Sequence, residues 1–283
     1  MTSKKTGVKT TKILEFSTTP IFGKWKKFFP EEATEHTARM NLNLLNYLIL
    51  KYTKEEDLIL DPMAGSGSTG ILASLNNRNS ILIELEKKIC RWIKDAKRKV
   101  EQQQTFTKKG KITIIQGDAR NIPKLVKKSI SAVITSPPYY DLLQDTLKEV
   151  LRSKSIRDFK RNFNHIPIKC STNPINIGNI TALGSYLGAV KKVYTGCFQV
   201  LKPDGRMIIT FRNSIRNKKL LPLTDYTILL CRDIGFSLED HLFFKLPFPT
   251  IWRNFEKNRW EKEGRKYPED MSYEHILVFK KEI

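Results

Sequence analysis

The chain has 283 residues, with 50 Lys and Arg against 29 Asp and Glu, which gives a formal net charge of +21. This length fits one large domain with insertions. The charge favours a polyanionic partner, although a lysine-rich proteome would give the same balance. No apolar run approaches the ~18 residues of a membrane span and no signal-peptide segment is evident, so we expect a cytoplasmic protein. The four cysteines are far apart, which argues against a disulfide framework and a zinc site.

The first thirty residues contain seven lysines and one acid, Glu15. A lysine-rich stretch of this kind is typical of a basic amino-terminal arm. We therefore predict such an arm over residues 1–35, anchored by Trp25, Phe28 and Phe29. A helix-like segment, 36–52, follows it.

An apolar strand at 58–62 leads into a glycine-rich loop. Gly65 and Gly67 permit positive φ and a close approach of the backbone to a ligand, and a helix beginning near Ser68 offers free N–H groups. With Gly70 the loop also satisfies G-x-G-x-x-G, so a nicotinamide dinucleotide remains an alternative. Asp61 would repel a pyrophosphate but suits a cationic ligand. A P-loop is excluded, because no Gly-Lys-Ser/Thr follows.

Two further acids end the next two predicted strands. Glu84 closes the strand at 80–85 and could bind a ribose hydroxyl pair. Asp118 follows the strand at 112–116. Each acid alone is more often a solvated strand end or a cap. Together with Asp61 they predict three acids at one edge of a parallel sheet.

The most informative segment is Ser136-Pro137-Pro138-Tyr139, which follows the apolar strand at 131–135. Two prolines cannot donate hydrogen bonds within a sheet, so the chain must leave the sheet there with its carbonyls directed outward. The Ser136 hydroxyl and the Pro137 carbonyl can accept hydrogen bonds from an amino group, and Tyr139 can stack on a flat ligand. A planar base with an exocyclic amine fits this description. An ordinary Pro-Pro exit from a strand is the alternative.

This motif resembles the catalytic motif of the S-adenosylmethionine-dependent amino-methyltransferases of DNA, in the cytosine-N4 form. Adenine-N6 relatives usually carry Asp at the position of Ser136. The resemblance covers residues 36–283, and Pro249 to Trp260 resembles a tail segment of archaeal-type modification methylases. It implies catalytic roles for Ser136, Pro137, Pro138 and Tyr139. It also implies S-adenosyl-L-methionine as cofactor, with Asp118 matching the position that accepts from the adenine amine. The implied cofactor residues are Asp61, Pro62, Met63, Ala64, Gly65, Ser66, Gly67, Ser68, Thr69, Glu84, Asp118 and Ala119.

Strands and helices alternate along the chain, which predicts an α/β fold with helices on both faces of a mostly parallel sheet. Strands are predicted near 58–62, 80–85, 112–116, 131–135, 206–211, 237–244 and 275–280. The last two are predicted to form a hairpin with an antiparallel final strand. The family resemblance implies the same architecture, namely the seven-stranded, Rossmann-like sheet of class I methyltransferases.

Extra length within the predicted catalytic domain, 36–283, falls at 141–183 and 246–270. Both stretches are rich in basic and aromatic residues, which can bind phosphates and contact bases, although either could be a solvated loop or helix face. We predict that they are DNA-recognition insertions. The DNA-binding candidates are Arg157, Lys160, Arg161, Arg253 and Arg259.

The resulting hypothesis is a site-specific methyltransferase acting on cytosine N4 in double-stranded DNA of a prokaryotic nucleoid, acting as the modification enzyme of a restriction system or as a solitary methylase. A cognate endonuclease would then act on the same site. Carbon-5 methylation is disfavoured, because it uses a cysteine nucleophile that usually follows proline, and no cysteine here does. Adenine-N6 methylation, RNA amino-methylation and a non-catalytic nucleic-acid-binding protein remain alternatives.

Overall fold

The computed structural model describes residues 12–17, 23–35, 40–104, 107–138, 140, 171, 173–216, 219–246 and 251–282. Within helix α7, defined below, only some side chains are described. No helix among these residues combines the length and the apolar character needed to cross a membrane.

One eight-stranded sheet organises the fold, in the order β1-β9-β10-β6-β5-β2-β3-β4. Its strands are β1 (Lys12–Leu14), β2 (Leu58–Asp61), β3 (Asn79–Glu84), β4 (Ile112–Gln116), β5 (Ile130–Thr135), β6 (Leu201–Phe211), β9 (Phe236–Lys245) and β10 (Tyr273–Lys281), while β7 (Ser214–Arg216) and β8 (Lys219–Leu221) form a separate hairpin. β10 pairs antiparallel with both of its neighbours, and the other pairs of the large sheet are parallel. The predicted Rossmann-like α/β class, with an antiparallel last strand, is confirmed.

The sheet has eight strands, so the predicted count of seven was wrong. The additional strand, β1, forms one edge of the sheet and pairs in parallel with β9, with Ile13 opposite Phe243. Leu14 is buried against the core, and Trp25 and Phe28 in the following 3-10 helix are buried as well. The described parts of residues 12–35 therefore pack on the sheet. Three strand residues in a lysine-rich stretch are too few to show a period of two, which explains why β1 was not predicted.

Seven α-helices are described: α1 (Leu42–Tyr52), α2 (Ser68–Leu75), α3 (Lys87–Gln102), α4 (Ile122–Leu125), α5 (Leu183–Val200), α6 (Leu223–Ile234) and α7 (Ile251–Lys262). Because side chains alternate between the faces of a strand, adjacent sheet residues enter opposite cores. Ile59 and Leu82 pack with α1, α2 and α3, whereas Leu60 and Ile83 pack with α4, α5 and α6. Both faces of the sheet are thus covered, as parallel strands require.

β6 begins earlier than its predicted start at 206. The strand already includes Leu201, and residues 202–205, which precede the predicted start, form an irregularity within it, with Asp204 at φ 60°. The register against β5 shifts at this point, between the pairs made by Ile130 and Ala132. A left-handed residue can therefore be absorbed as a bulge without ending the strand.

Candidate functional site

The candidate site lies where the strand order reverses. From β2 the chain proceeds to β3 and β4 on one side, then returns to β5 on the other side of β2. In open α/β sheets, ligands bind beyond the carboxyl ends of the strands at such a switch point. Asp61 ends β2, Glu84 ends β3 and Thr135 ends β5, so the predicted acids and the proline turn meet at this edge.

The glycine loop joins β2 to α2 with the backbone that its sequence predicts. Gly65 has φ 51° and Gly67 has φ 80°, both in the left-handed region. Gly67 is the N-cap of α2, and no side chain caps this helix among the described residues. The first N–H groups of α2 are consequently available to a ligand. A Cβ atom on Gly70 would lie 2.6 Å from Leu82 Cδ1, so this glycine allows the helix to pack closely on β3.

Gly67→Ala tests the conformation of the loop. A Cβ at this position would lie 2.8 Å from Ile93 Cγ2, and the φ of 80° is unfavourable for alanine. We expect the free energy of unfolding to fall by about 1–2 kcal/mol and ligand affinity at the loop to fall with it. Chemical denaturation and calorimetry measure the two effects. Gly188→Ala is the control, because a Cβ there meets nothing within 4 Å in helix α5; equal effects in both variants would contradict the assignment.

The Asp61 carboxylate is 4 % exposed and is held by three donors. Its Oδ2 accepts from Thr69 Oγ1 at 2.6 Å, and its Oδ1 accepts from Thr135 Oγ1 at 2.9 Å and from the Met63 N–H at 3.2 Å. Burial raises the pKa of Asp61 to about 6, although these hydrogen bonds act in the opposite direction. Asp61 therefore fastens the beginning of α2 and the end of β5 to the end of β2.

Glu84 is also buried, at 8 % exposure, and it supports the loop from the neighbouring strand. Its Oε2 accepts from the Gly65 N–H and its Oε1 accepts from the Glu86 N–H, both at 2.9 Å. Burial raises the pKa of Glu84 to about 7, more than these backbone hydrogen bonds lower it. Since a carboxylate can accept about four hydrogen bonds, each oxygen retains capacity for a ligand hydroxyl.

The remaining loop residues are packed into the site. Ala64 donates its N–H to the Ile83 carbonyl at 3.0 Å, which joins the loop to β3. Ser66 and Ser68 are buried, and their hydroxyl oxygens lie 2.9 Å apart in a mutual hydrogen bond. Pro62 is buried before them. These residues shape the loop, and their described hydrogen bonds lie within the protein.

Asp118 follows β4, as predicted, but its carboxylate is already paired. Arg120 donates to it through Nε at 2.9 Å to each oxygen and through Nη2 at 2.6 Å. Burial acts to raise the pKa of Asp118, but the hydrogen bonds and charge of Arg120 hold it below its usual value. Ala119 is buried beside it. A ligand amine would have to share this carboxylate with Arg120.

The proline turn leaves β5 directly after Thr135. Ser136 is half-buried, Pro137 is buried, and Pro138 uses its carbonyl to accept from Tyr186 Oη at 3.0 Å. This contact fixes the turn against helix α5. Tyr139 lies outside the described residues.

Tyr140 anchors the far side of the turn. It is 2 % exposed, its ring centroid lies 5.2 Å from that of Tyr186, and its hydroxyl donates to the Thr181 carbonyl at 2.5 Å. Arg216 donates to the same hydroxyl and lies over the Tyr140 ring. An aromatic residue in the predicted motif region thus has a structural role that the motif itself does not reveal.

The structure does not show the predicted DNA-binding side chains at this edge of the sheet, because none of these side chains is described. Arg157, Lys160 and Arg161 lie outside the described residues. Arg253 and Arg259 lie on helix α7, but their side chains are also outside the description.

Three residues at the site were not predicted. Thr135 binds Asp61, Tyr186 binds the proline turn, and Glu86 accepts from Ser171 Oγ and, at 3.4 Å, from Asn176 Nδ2. Glu86 thereby connects the last part of the first predicted insertion, 141–183, to the rim of the site. Thr135 could have been found from the sequence, because it is a polar residue at the end of a buried strand; the other two contacts depend on tertiary packing.

Comparison with known proteins gives partial matches. Residues 1–98 match the family model of N6/N4 methyltransferases, described as DNA methylase. The Type II methyltransferase M2.MboI of Moraxella bovis is 45 % identical over 67 residues, which cover 24 % of this chain and 23 % of that protein. The Type II beta methyltransferase M.BslI of Bacillus sp. (strain NEB-606) is 25 % identical over 188 residues, 61 % of this chain and 16 % of that protein.

The aligned regions span less than a quarter of either relative. Among solved structures, TrmN from Thermus thermophilus aligns with 88 % of this chain and 52 % of its own, with a TM-score of 0.49 and 14 % identity. The first 98 residues, which contain the glycine loop and Glu84, are therefore similar to DNA methylases.

Proposed function

We propose that this protein is an S-adenosylmethionine-dependent DNA methyltransferase that methylates the exocyclic N4 of cytosine. The observation that carries the proposal is the junction of two predicted motifs at one switch point. The hydrogen bond from Thr135 to Asp61 joins the end of β5, and hence Ser136, to the glycine loop. The similarity of residues 1–98 to DNA methylases supports the same conclusion.

The residues at the glycine loop fit this cofactor. Glu84 has unused acceptor capacity for two ribose hydroxyls, and the uncapped amino end of α2 can donate to the ligand. Asp61 and Glu84 place negative charge where a cationic amino acid and sulfonium would bind. Once bound, the cofactor supplies an activated methyl group with a neutral thioether as leaving group.

The proline turn would orient the base. A base inside a duplex cannot reach a buried methyl donor, so the cytosine must rotate out of the helix and stack, which is the role proposed for Tyr139. Ser136 Oγ and the Pro137 carbonyl accept from the N4 amine and localise its lone pair. This positioning favours in-line transfer, in which a nitrogen–carbon bond forms, the sulfur–carbon bond breaks and N4 loses a proton. We propose that this proton leaves to water or through Ser136.

Ser136 is the basis for choosing cytosine. It offers a neutral hydroxyl where adenine enzymes usually hold Asp, and a pyrimidine needs less space than a purine. The family model names both N6 and N4 enzymes, so adenine N6 is the second candidate target. We further propose that the protein is the modification enzyme of a restriction system, because the relatives are Type II methyltransferases. A pure nucleic-acid-binding protein would show no cofactor binding in calorimetry.

We expect cofactor affinity to depend on pH because of the Glu84 carboxylate. Its pKa of about 7 in the folded protein means that its carboxylate is largely protonated below that pH, whereas binding two hydroxyls favours the ionised form. Affinity should therefore rise about tenfold from pH 6 to pH 8. Calorimetric titration of S-adenosylmethionine measures this change. Asp61, with a pKa of about 6, adds to the dependence mainly below pH 6.

Glu84→Gln is the matched variant for this test. It keeps the size of the side chain but cannot ionise, so its affinity should be lower and nearly independent of pH between 6 and 8. The same pH dependence in wild type and Glu84→Gln would show that another group is responsible.

The two insertions, 141–183 and 246–270, are proposed as DNA-facing walls. If Arg157 and Lys160 contact phosphates, replacing either with alanine should weaken binding to all sequences and reduce the slope of log K against log salt by about one. Fluorescence anisotropy at several salt concentrations measures the slope.

Arg253→Ala is expected to behave differently if Arg253 reads a guanine. It should then reduce the free energy of DNA binding by about 1–3 kcal/mol on the cognate site alone.

Lys128→Ala is the control for total charge. Lys128 is exposed and lies just before the amino end of β5, on the edge of the sheet opposite the candidate site. An unchanged slope for Arg157→Ala, or an equal change for Lys128→Ala, would argue against the proposed wall.

A further inference from the structure

One buried carboxylate links the two halves of the candidate site. Asp61 accepts from Thr69, in the first turn of α2, and from Thr135, the last residue of β5. All three side chains are nearly inaccessible, with exposures of 4 % for Asp61, 4 % for Thr69 and 0 % for Thr135. The two hydroxyls use different carboxylate oxygens, so movement of one threonine is transmitted to the other through a single rigid group.

The hydrogen bond between Thr135 and Asp61 lies just past the point where the strand pairing between β2 and β5 ends. The strand pairing between β2 and β5 comprises only Ile59 with Ala132 and Leu60 with Val133. Past the pair made by Leu60 and Val133, β5 continues to pair with β6, and Thr135 lies opposite Ile209. The hydrogen bond from Thr135 to Asp61 therefore spans the switch point past the last β2–β5 pair, immediately before the proline turn begins.

We propose that Thr135 is a positioning residue that couples occupancy of the glycine loop to the placement of the Ser136 turn. It acts through Asp61 and touches neither the cofactor nor the base. This inference rests on the proposed function, since it assigns the loop to the cofactor and the turn to the target base.

Coupling of this kind has a thermodynamic signature. If the filled loop holds Asp61 and Thr135 in the arrangement that receives the base, cofactor binding must tighten DNA binding, and DNA must tighten cofactor binding by the same factor. Loss of the Thr135 hydroxyl removes the link but leaves each site in place. A purely structural threonine would lower thermal stability without changing this factor.

Three variants separate these possibilities. Thr135→Val removes the hydroxyl and keeps the branched shape, whereas Thr135→Ser keeps the hydroxyl. Thr210→Val is the matched control, because Thr210 is equally buried on the adjacent strand β6, and its hydroxyl has no hydrogen-bond partner among the described residues. Ser136 and Tyr139 remain unchanged in all three.

The measured quantity is the ratio of DNA dissociation constants without and with S-adenosylhomocysteine. The probe is a fluorescent duplex that carries the site mapped by sequencing methylated DNA from expressing cells. We expect a ratio of about 5 to 150 in wild type, Thr135→Ser and Thr210→Val. In Thr135→Val it should fall to within about twofold of unity, and turnover should fall up to about a hundredfold because the turn is misplaced.

A Thr135→Val ratio equal to that of Thr210→Val, or a wild-type ratio of one, would overturn the coupling while the methyltransferase assignment stands. Failure of the proposed function would look different. In that case wild type would neither bind S-adenosylmethionine nor modify DNA.

Discussion

Ser136→Ala is expected to lower kcat for methyl transfer by about 10²- to 10³-fold, while the Kd for S-adenosylmethionine stays within about twofold of wild type. The Ser136 hydroxyl is proposed to accept from the target amine as its lone pair localises, which makes it more important in the transition state than in the bound ground state. Transfer of labelled methyl groups to unmodified genomic DNA measures kcat, and calorimetry measures Kd.

Ser131→Ala is the control for this experiment. Ser131 is half-buried near the amino end of β5, the strand that precedes Ser136, and its hydroxyl accepts from Lys202 Nζ. Its replacement should leave kcat and Kd unchanged. Tyr139→Ala is expected to resemble Ser136→Ala, because the ring is proposed to hold the flipped base. Full turnover in Ser136→Ala would show that Ser136 is not a catalytic residue.

Asp61→Ala is expected to destabilise the protein by about 3 kcal/mol and to abolish measurable cofactor binding. Three buried donors, from Thr69, Thr135 and Met63, would lose their acceptor, and each unpaired donor costs about 1–3 kcal/mol, partly offset because no carboxylate is then buried. Chemical denaturation and calorimetry with S-adenosylmethionine measure the two effects. The sequence alone suggests a direct role in cofactor affinity, whereas the hydrogen bonds predict a loss of stability as well.

The sign of the pH dependence provides a second check on Asp61. Its folded pKa, about 6, lies above the usual value, so its contribution to stability is fully present at low pH and is lost as pH rises through 6. The destabilisation caused by Asp61→Ala should therefore be larger at pH 4 than at pH 7.

Asp57→Ala is the matched control, because Asp57 lies just before the amino end of β2, whereas Asp61 lies at its carboxyl end. Asp57 accepts from the Lys54 N–H and pairs with Lys202. We expect a loss of about 1 kcal/mol or less and unchanged cofactor affinity. Equal losses of cofactor binding in the two variants would argue against a specific role for Asp61.

The sequence was most informative where local chemistry determines structure. Strand ends at Asp61, Glu84 and Thr135 follow apolar runs, and the positive φ of Gly65 and Gly67 follows from the need for a tight turn. These features predicted the parallel sheet and the edge at which the candidate site lies.

Contacts between residues that are far apart in the chain could not be predicted from the sequence. Thr135 and Asp61 are 74 positions apart, and they meet only because the strand order places β5 beside β2. The pairing of Tyr186 with the Pro138 carbonyl likewise depends on how α5 packs. By contrast, the Asp118–Arg120 pair spans two positions, so a closer reading of the local charge pattern could have identified it.

The proposed methylation of cytosine N4 is tested by digesting nucleic acid from cells that express the protein to nucleosides and identifying the modified base by mass spectrometry. We expect N4-methylcytosine in DNA from cells with the wild-type protein and none in DNA from cells with Ser136→Ala. N6-methyladenine without N4-methylcytosine would contradict the proposed base, and modification confined to RNA would contradict the proposed polymer.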